Sequence, residues 1–129
     1  MKRVTGLGGI FFKARDAEKL RDWYAKHLGL PVEPWGGFQF HWRQDEAPDR
    51  RGHTVWSVFK GDSSYFAPSE KPFMINYRVE NLDAVLEALR SEGVAVDPKV
   101  DESEYGRFGW VMDPEGNRIE LWEPPSPEK

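Results

Sequence analysis

The chain of 129 residues contains no cysteine, which excludes disulfides, thiolate metal sites and cysteine nucleophiles. It also lacks any apolar run of membrane-spanning length. Met1-Lys2-Arg3 begins like a signal peptide, but no apolar core follows it. A cytoplasmic protein without a membrane partner is expected. A basic stripe is missing too. The 18 Lys and Arg residues are scattered, the net charge is −4, and the nearest thing to a cluster, Arg50-Arg51, follows three acids between Asp45 and Asp49. Nucleic-acid binders carry such a stripe, so nucleic acid is not an expected partner. Histidine is scarce: His27, His41 and His53 are all there are, and no two stand at a recognised ligand spacing.

Aromatic residues are plentiful. Six Trp, eight Phe and four Tyr make up 14% of a chain whose length suits one domain with a real core. That many rings imply a core built on them, an aromatic-lined pocket, or both.

Periodicity predicts a strand over residues 7–14, then a helix over 17–28 with Asp16 as its N-cap. Leu20, Trp23, Tyr24, His27 and Leu28 stand at helical spacing, and Gly29 stops the run. Residues 73–79 alternate as a second strand, and Asn81 or Asp83 opens a second helix whose apolar face is Leu82, Val85, Leu86 and Leu89, stopped by Gly93. The spacing between Gly29 and Gly93 recurs between Asp49 and Asp113 and between Gly52 and Gly116. Each half therefore reads as strand, helix, strand, turn and strand, with Val32 and Val96 in matching extended segments. Two copies of so long a unit mean a pseudo-symmetric domain. Module one covers about 5–59, a polar, turn-rich linker 60–72, module two about 73–123, and 124–129 form a Pro-rich tail.

The most informative stretch lies near the C-terminus. Asp113-Pro-Glu-Gly-Asn-Arg-Ile-Glu-Leu-Trp122 reads as a tight turn feeding a strand. Alternation turns Ile119 and Leu121 one way, and Arg118, Glu120 and Trp122 the other. A carboxylate on the concave face of a curved sheet is a natural metal ligand or general base.

Two motifs, Ala14-Arg-Asp-Ala-Glu-Lys-Leu-Arg-Asp-Trp-Tyr-Ala-Lys-His-Leu-Gly-Leu30 and Met112-Asp-Pro-Glu-Gly-Asn-Arg-Ile-Glu-Leu-Trp-Glu-Pro124, together with the paired unit, resemble the vicinal oxygen chelate superfamily. That superfamily includes glyoxalase I, bleomycin-resistance proteins and extradiol dioxygenases. The resemblance runs from about residue 5 to Glu123. It implies an α+β fold of two βαβββ modules in a pseudo-two-fold arrangement, forming an open curved sheet around a cleft. It does not fix the chemistry, because the superfamily hosts isomerases, lyases, oxygenases and metal-free binding proteins.

The resemblance also implies where metal ligands would sit: on the first and last strands of each module. The first-strand ligand, usually His or Gln, precedes the residue that opens the helix by a fixed count, which falls on Gly9 before Asp16 and on Met74 before Asn81. Glycine has no ligating side chain, and a thioether is a poor ligand for hard or borderline divalent metals. The last-strand ligand matches Glu120; its module-one counterpart falls within Thr54-Val-Trp-Ser57. One of four ligands remains, where catalytic metal sites use three. The reading is no tight cofactor, with a weak divalent site at Glu120 and His41 as the metal alternative.

Alternation sends Ile75, Tyr77 and Val79 toward the second helix and Met74, Asn76 and Arg78 into the cleft; Ile10 and Phe12 pack toward the first helix, while Gly9, Phe11 and Lys13 face the cleft. With Trp110 and Trp122 these residues form an aromatic pocket suited to a flat, aromatic or amphipathic small molecule, with Lys13 or Arg78 for an anionic handle. Plainer explanations stand beside these. Glu120 can be a structural ion-pair partner of Lys13, Arg78 or Arg118. Gly8-Gly9 can be a strand kink, Gly36-Gly37 a hairpin turn, and Tyr105-Gly-Arg-Phe-Gly-Trp110 a tight approach to a strand or a pocket wall. Two functions remain: a small-molecule-binding protein of the glyoxalase/bleomycin-resistance type, or a divergent lyase or isomerase using Glu120 as metal ligand or general base. Relatives commonly form dimers, so a homodimer is expected.

Overall fold

The computed structural model describes residues 3–44 and 47–125, with side chains for all of these except 42–44 and 47–51. The acids and arginines between Asp45 and Arg51, and the end of the Pro-rich tail, thus lie outside the described side chains. The chain runs β1 (Val4–Ala14), α1 (Ala17–Leu28), β2 (Gly37–Gln44), β3 (Ala47–Lys60), β4 (Phe73–Val79), α2 (Leu82–Ser91), β5 (Ala95–Ser103), β6 (Gly106–Met112) and β7 (Arg118–Glu123). The strands form one sheet in the order β2-β3-β1-β4-β7-β6-β5, with the antiparallel β1–β4 pair as the seam between modules. This is the expected α+β open sheet with two helices.

The two modules are not equal. The second is a complete βαβββ unit, whereas the first has two strands after its helix among the described residues. The expected extended segment at Val32 is not a strand. Pro31 and Pro34 flank it and offer no N–H to a ladder, and the Val32 N–H turns back to the Leu30 carbonyl at 2.9 Å. Gly36-Gly37 accordingly forms a turn leading into β2, with the Gly36 N–H on the Glu33 carbonyl at 2.9 Å, instead of a hairpin between two strands. The turn expected at Gly52 is also absent: Gly52 lies inside β3, and the β2–β3 hairpin is longer than its counterpart in module two.

Both helices begin on side-chain caps. Asp16 accepts from the Lys19 N–H and Asn81 from the Ala84 N–H, each at 3.1 Å. Glu123 of β7 accepts from the Leu82 N–H at 2.8 Å, tying the start of α2 to the sheet. Gly29, at φ 69°, closes α1 with its N–H on the Tyr24 carbonyl. Their apolar faces differ. Leu82, Val85 and Leu86 of α2 are buried against Val79, Val111 and Leu121, with Tyr77 and Ile119 packed alongside. In α1 Tyr24 packs edge-on against Phe12 and Trp56, but Trp23 and Leu28, read from periodicity as part of the inner face, are exposed. Ile10 is likewise exposed instead of packed under α1.

Cavity formation in the second module should therefore be costly. Leu86→Ala is expected to lower the unfolding free energy by about 2–5 kcal/mol, measured by urea denaturation, while Leu28→Ala on the exposed side of α1 should change it by less than about 1 kcal/mol.

Candidate functional site

The concave side of the sheet holds a cleft of about 830 Å³. Its chemistry centres on Glu120, which parallel pairing of β4 and β7 sets beside Asn76. The Glu120 side chain is 1% exposed. Its Oε1 accepts from Asn76 Nδ2 at 2.7 Å; its Oε2 accepts from Tyr65 Oη at 2.5 Å and from Trp110 Nε1 at 2.9 Å. Burial raises the carboxyl above its ordinary value, and the three hydrogen bonds and the Arg118 charge offset this only in part. Burial, and then the Glu120 charge, push the Tyr65 phenol upward, so Tyr65 stays protonated.

Glu120 is thus held by three neutral donors and not by an ion pair with Lys13, Arg78 or Arg118, the plainer alternative that the sequence left open. Arg118 acts one step away. Its guanidinium lies 4.9 Å from the Trp110 ring and donates to the Tyr65 carbonyl at 2.9 Å and to the Ala67 carbonyl at 2.5 Å. Arg118 therefore clamps the linker that carries Tyr65. Phe66, next in the chain, is fully buried against Phe11, Met74 and Trp110, and Ser69 Oγ donates to the Gly116 carbonyl at 2.8 Å.

Of the residues chosen from sequence, Phe11, Asn76, Glu120 and Trp122 line the cleft. Met74 and Trp110 are not among the lining residues; they are buried in a cluster with Phe11 and Phe66. Lys13 and Arg78 are not among the lining residues: Lys13 Nζ lies 5.2 Å from the Phe66 ring centre. A register shift between Leu7 and Gly9 brings Gly8 to the cleft as well. An added Cβ at Gly8 would stand 1.9 Å from Asn76 Oδ1, so the glycine admits that side chain. His41 is exposed on β2, its ring 5.7 Å from that of His53. His53 lines the cleft, 4.9 Å from the Trp122 ring. Burial and the nearby His41 and Arg78 lower its pKa, leaving the imidazole neutral at pH 7.

Sequence reasoning missed Tyr65, Phe66, His53 and Arg21. Two adjacent aromatics inside an otherwise polar linker were the available signal for the first pair. Arg21 stands at helical spacing from buried Ala17 and from Tyr24, which places a charge on the inner stripe of α1.

Strand register relates the positions at which the resemblance puts metal ligands. Gly9 pairs with Asn76 and Phe11 with Met74, so exchanging the modules maps Gly9 onto Met74 and Phe11 onto Asn76. Phe11 pairs with Ser57 as Asn76 pairs with Glu120; Ser57 is therefore the counterpart of Glu120. The four positions hold Gly9, Ser57, Met74 and Glu120, and the oxygens of Glu120 already accept three hydrogen bonds. Among the described residues no group of three or more His, Asp or Glu gathers. These residues do not fit a divalent metal.

The glyoxalase-like domain family matches residues 9–122. The chain belongs to that family. No curated protein sequence matches. Among solved structures, this glyoxalase-like chain is similar to methylmalonyl-CoA epimerase from Mycobacterium tuberculosis, with 20% identity and a TM-score of 0.67 over 98% of this chain and 92% of that one. It is similar also to the Streptomyces coelicolor methylmalonyl-CoA epimerase in complex with 2-nitronate-propionyl-CoA, with 18% identity and a TM-score of 0.68 over 95% and 99%. A methylmalonyl-CoA epimerase in complex with methylmalonyl-CoA and NH4+ shares 18% identity, with a TM-score of 0.66. At these identities the likeness concerns the fold alone. No helix among the described residues is long and apolar enough to cross a membrane.

The raised Glu120 carboxyl has a sign that can be measured. Above the ordinary value of 4.5, the unfolded chain has released this proton while the folded chain still holds it, so its contribution to stability falls as pH rises. Urea titrations of wild type and Glu120→Gln between about pH 4 and 8 should show the wild type losing ground to the variant as pH increases; a difference that does not vary with pH would refute this. Tyr65→Phe should lower stability at neutral pH by about 1–3 kcal/mol, since it removes one donor to a buried carboxylate.

Proposed function

We propose that this glyoxalase-like domain is a small-molecule-binding protein of the bleomycin-resistance type, holding its ligand in the aromatic cleft without a tightly bound catalytic metal. The observation that carries this reading is the state of Glu120. The only carboxylate at a family ligand position is 1% exposed and has both oxygens engaged by neutral donors. A general base must reach the proton it removes, and here a substrate would first have to displace Tyr65 or Asn76. The ligand is an aromatic or amphipathic molecule that packs on Phe11 and Trp122, with Asn76 as a polar contact and with Met74 and Trp110 buried in the cluster that supports Phe11. The exposed Trp23 and Leu28 support a homodimer as the working form.

One observation favours the alternative of a lyase or isomerase. The Tyr65–Glu120 bond is short, and burial raises the carboxyl above its ordinary value. In that reading Tyr65, at the cleft wall, passes a proton between substrate and Glu120.

Calorimetric titration of Zn²⁺, Ni²⁺, Fe²⁺ and Mn²⁺ against wild type and Glu120→Gln is the test. No stoichiometric binding is expected in either protein. One-to-one binding that Glu120→Gln destroys would overturn the metal-free reading. A substrate turned over by wild type and bound, but not turned over, by Glu120→Gln would establish the enzymatic alternative.

A further inference from the structure

We infer that the cleft takes a small molecule bearing an anionic group, and that Arg21 is the residue that holds it. This rests on the reading of the cleft as a ligand site, and adds the charge of the ligand and its anchor.

Arg21 lies on α1, yet its side chain reaches the cleft wall beside Trp35. It follows the inner stripe of the helix, and its Nη2 donates to the Val58 carbonyl. Gly36 makes room for the guanidinium. A Cβ there would stand 2.7 Å from Nη2 and 2.8 Å from Cζ, and φ 104° already favours glycine. This close approach is possible because module one has no outer strand over residues 29–36.

The guanidinium is half-buried and has no carboxylate partner among the described residues. Its Nε is buried and has no hydrogen-bond partner among the described residues. Glu33, the one acid of the adjoining segment 29–36, accepts from Trp35 Nε1 at 3.1 Å. Arginine carries five donors in a planar fork, and arginine removed from water is usually paired. The only counter-charge contact here is the dipole of one carbonyl. The carboxylates bordering the cleft do not meet this need: Glu120 is closed off by its three donors, and Glu104 is exposed in the turn between β5 and β6. His53 is neutral. Arg21 is therefore the one charged cation among the described lining residues, set beside indole and phenyl rings. An apolar wall with a single unpaired guanidinium recognises a flat ring system carrying a carboxylate, phosphate or sulfonate.

Two fluorescent probes with the same ring system separate charge from ring contact: anilinonaphthalene sulfonate and its uncharged relative phenylnaphthylamine. Each is titrated into wild type, Arg21→Gln, Arg21→Lys and Ser57→Trp, the last filling the cleft, with circular dichroism and thermal unfolding confirming that each variant is folded. Competition between the probes establishes a shared site in wild type. The expected result is that Arg21→Gln weakens the sulfonate probe about tenfold and leaves the neutral probe within about twofold. Arg21→Lys should retain part of the preference, and raised salt should weaken only the anionic probe. If the probes compete but Arg21→Gln leaves the sulfonate probe unchanged, or weakens both alike, the role of Arg21 is overturned and the binding reading stands. If neither probe saturates, or the probes do not compete and both bind a folded Ser57→Trp as before, the cleft is not their site, and the binding reading fails along with the inference.

Discussion

The buried Glu120 carboxylate is the contact on which the rest of the site depends. It gathers three elements: the linker through Tyr65, β4 through Asn76 and β6 through Trp110. Each consequence constrains a further residue. Because Asn76 gives its amino group to Glu120, its Oδ1 must point toward Gly8, where no side chain fits. Because Tyr65 must reach Oε2, the linker is drawn over the sheet, Phe66 is buried, and Arg118 satisfies the carbonyls of Tyr65 and Ala67. Net gains of roughly 1.5–3 kcal/mol for each hydrogen bond to a charged group oppose a desolvation cost of several kcal/mol. The raised carboxyl indicates that this opposition is not fully balanced.

What was legible in the sequence was local. The helix limits at Asp16, Gly29, Asn81 and Gly93, and the facing of 73–79 and 118–122, follow from capping chemistry and from periods of 3.6 and 2 that need only neighbouring residues. The errors arose where tertiary partners decide. Val32 has strand propensity, but the prolines around it leave no ladder to join. Tyr65 and Phe66 sit among turn residues, and nothing local reveals that a carboxylate far along the chain will bind one while Phe11, Met74 and Trp110 enclose the other. Lys13 has the right parity for the cleft, yet the Phe66 ring occupies its ammonium. Parity gives the face of a sheet on which a side chain emerges; it does not tell what fills the space above it.

The pseudo-two-fold axis shows how the halves have diverged. Module two is closed: β5 covers β6, α2 is packed along its length, and its last strand carries the sealed carboxylate. Module one is open: Ser57 stands where module two has Glu120, the outer strand is missing among the described residues, and the start of β2 is narrow enough for Arg21 to pass. Structural rigidity and an unpaired charge therefore fall on opposite sides of the seam. In the proposed reading, the second module supplies the platform and the first supplies the recognition.

The identity of residue 120 can then be understood without any reaction. Three donors converge on it, and an ionised carboxylate is the one side chain of this size with acceptor capacity for all of them and no donor of its own. Glutamine would offer a single oxygen and turn an amino group toward at least one donor, which the Tyr65 hydroxyl or a flipped Asn76 amide can accept but the Trp110 indole cannot. A neutral aliphatic residue would leave the Trp110 indole and the Asn76 amide unpaired in a buried wall, at about 1–3 kcal/mol each. The three donors of its neighbours account for an acceptor-rich glutamate here. A carboxylate at the family's ligand position is thus no sign by itself of metal or of catalysis, and the positions that do discriminate are the ones where the other ligands would stand: Gly9, Ser57 and Met74.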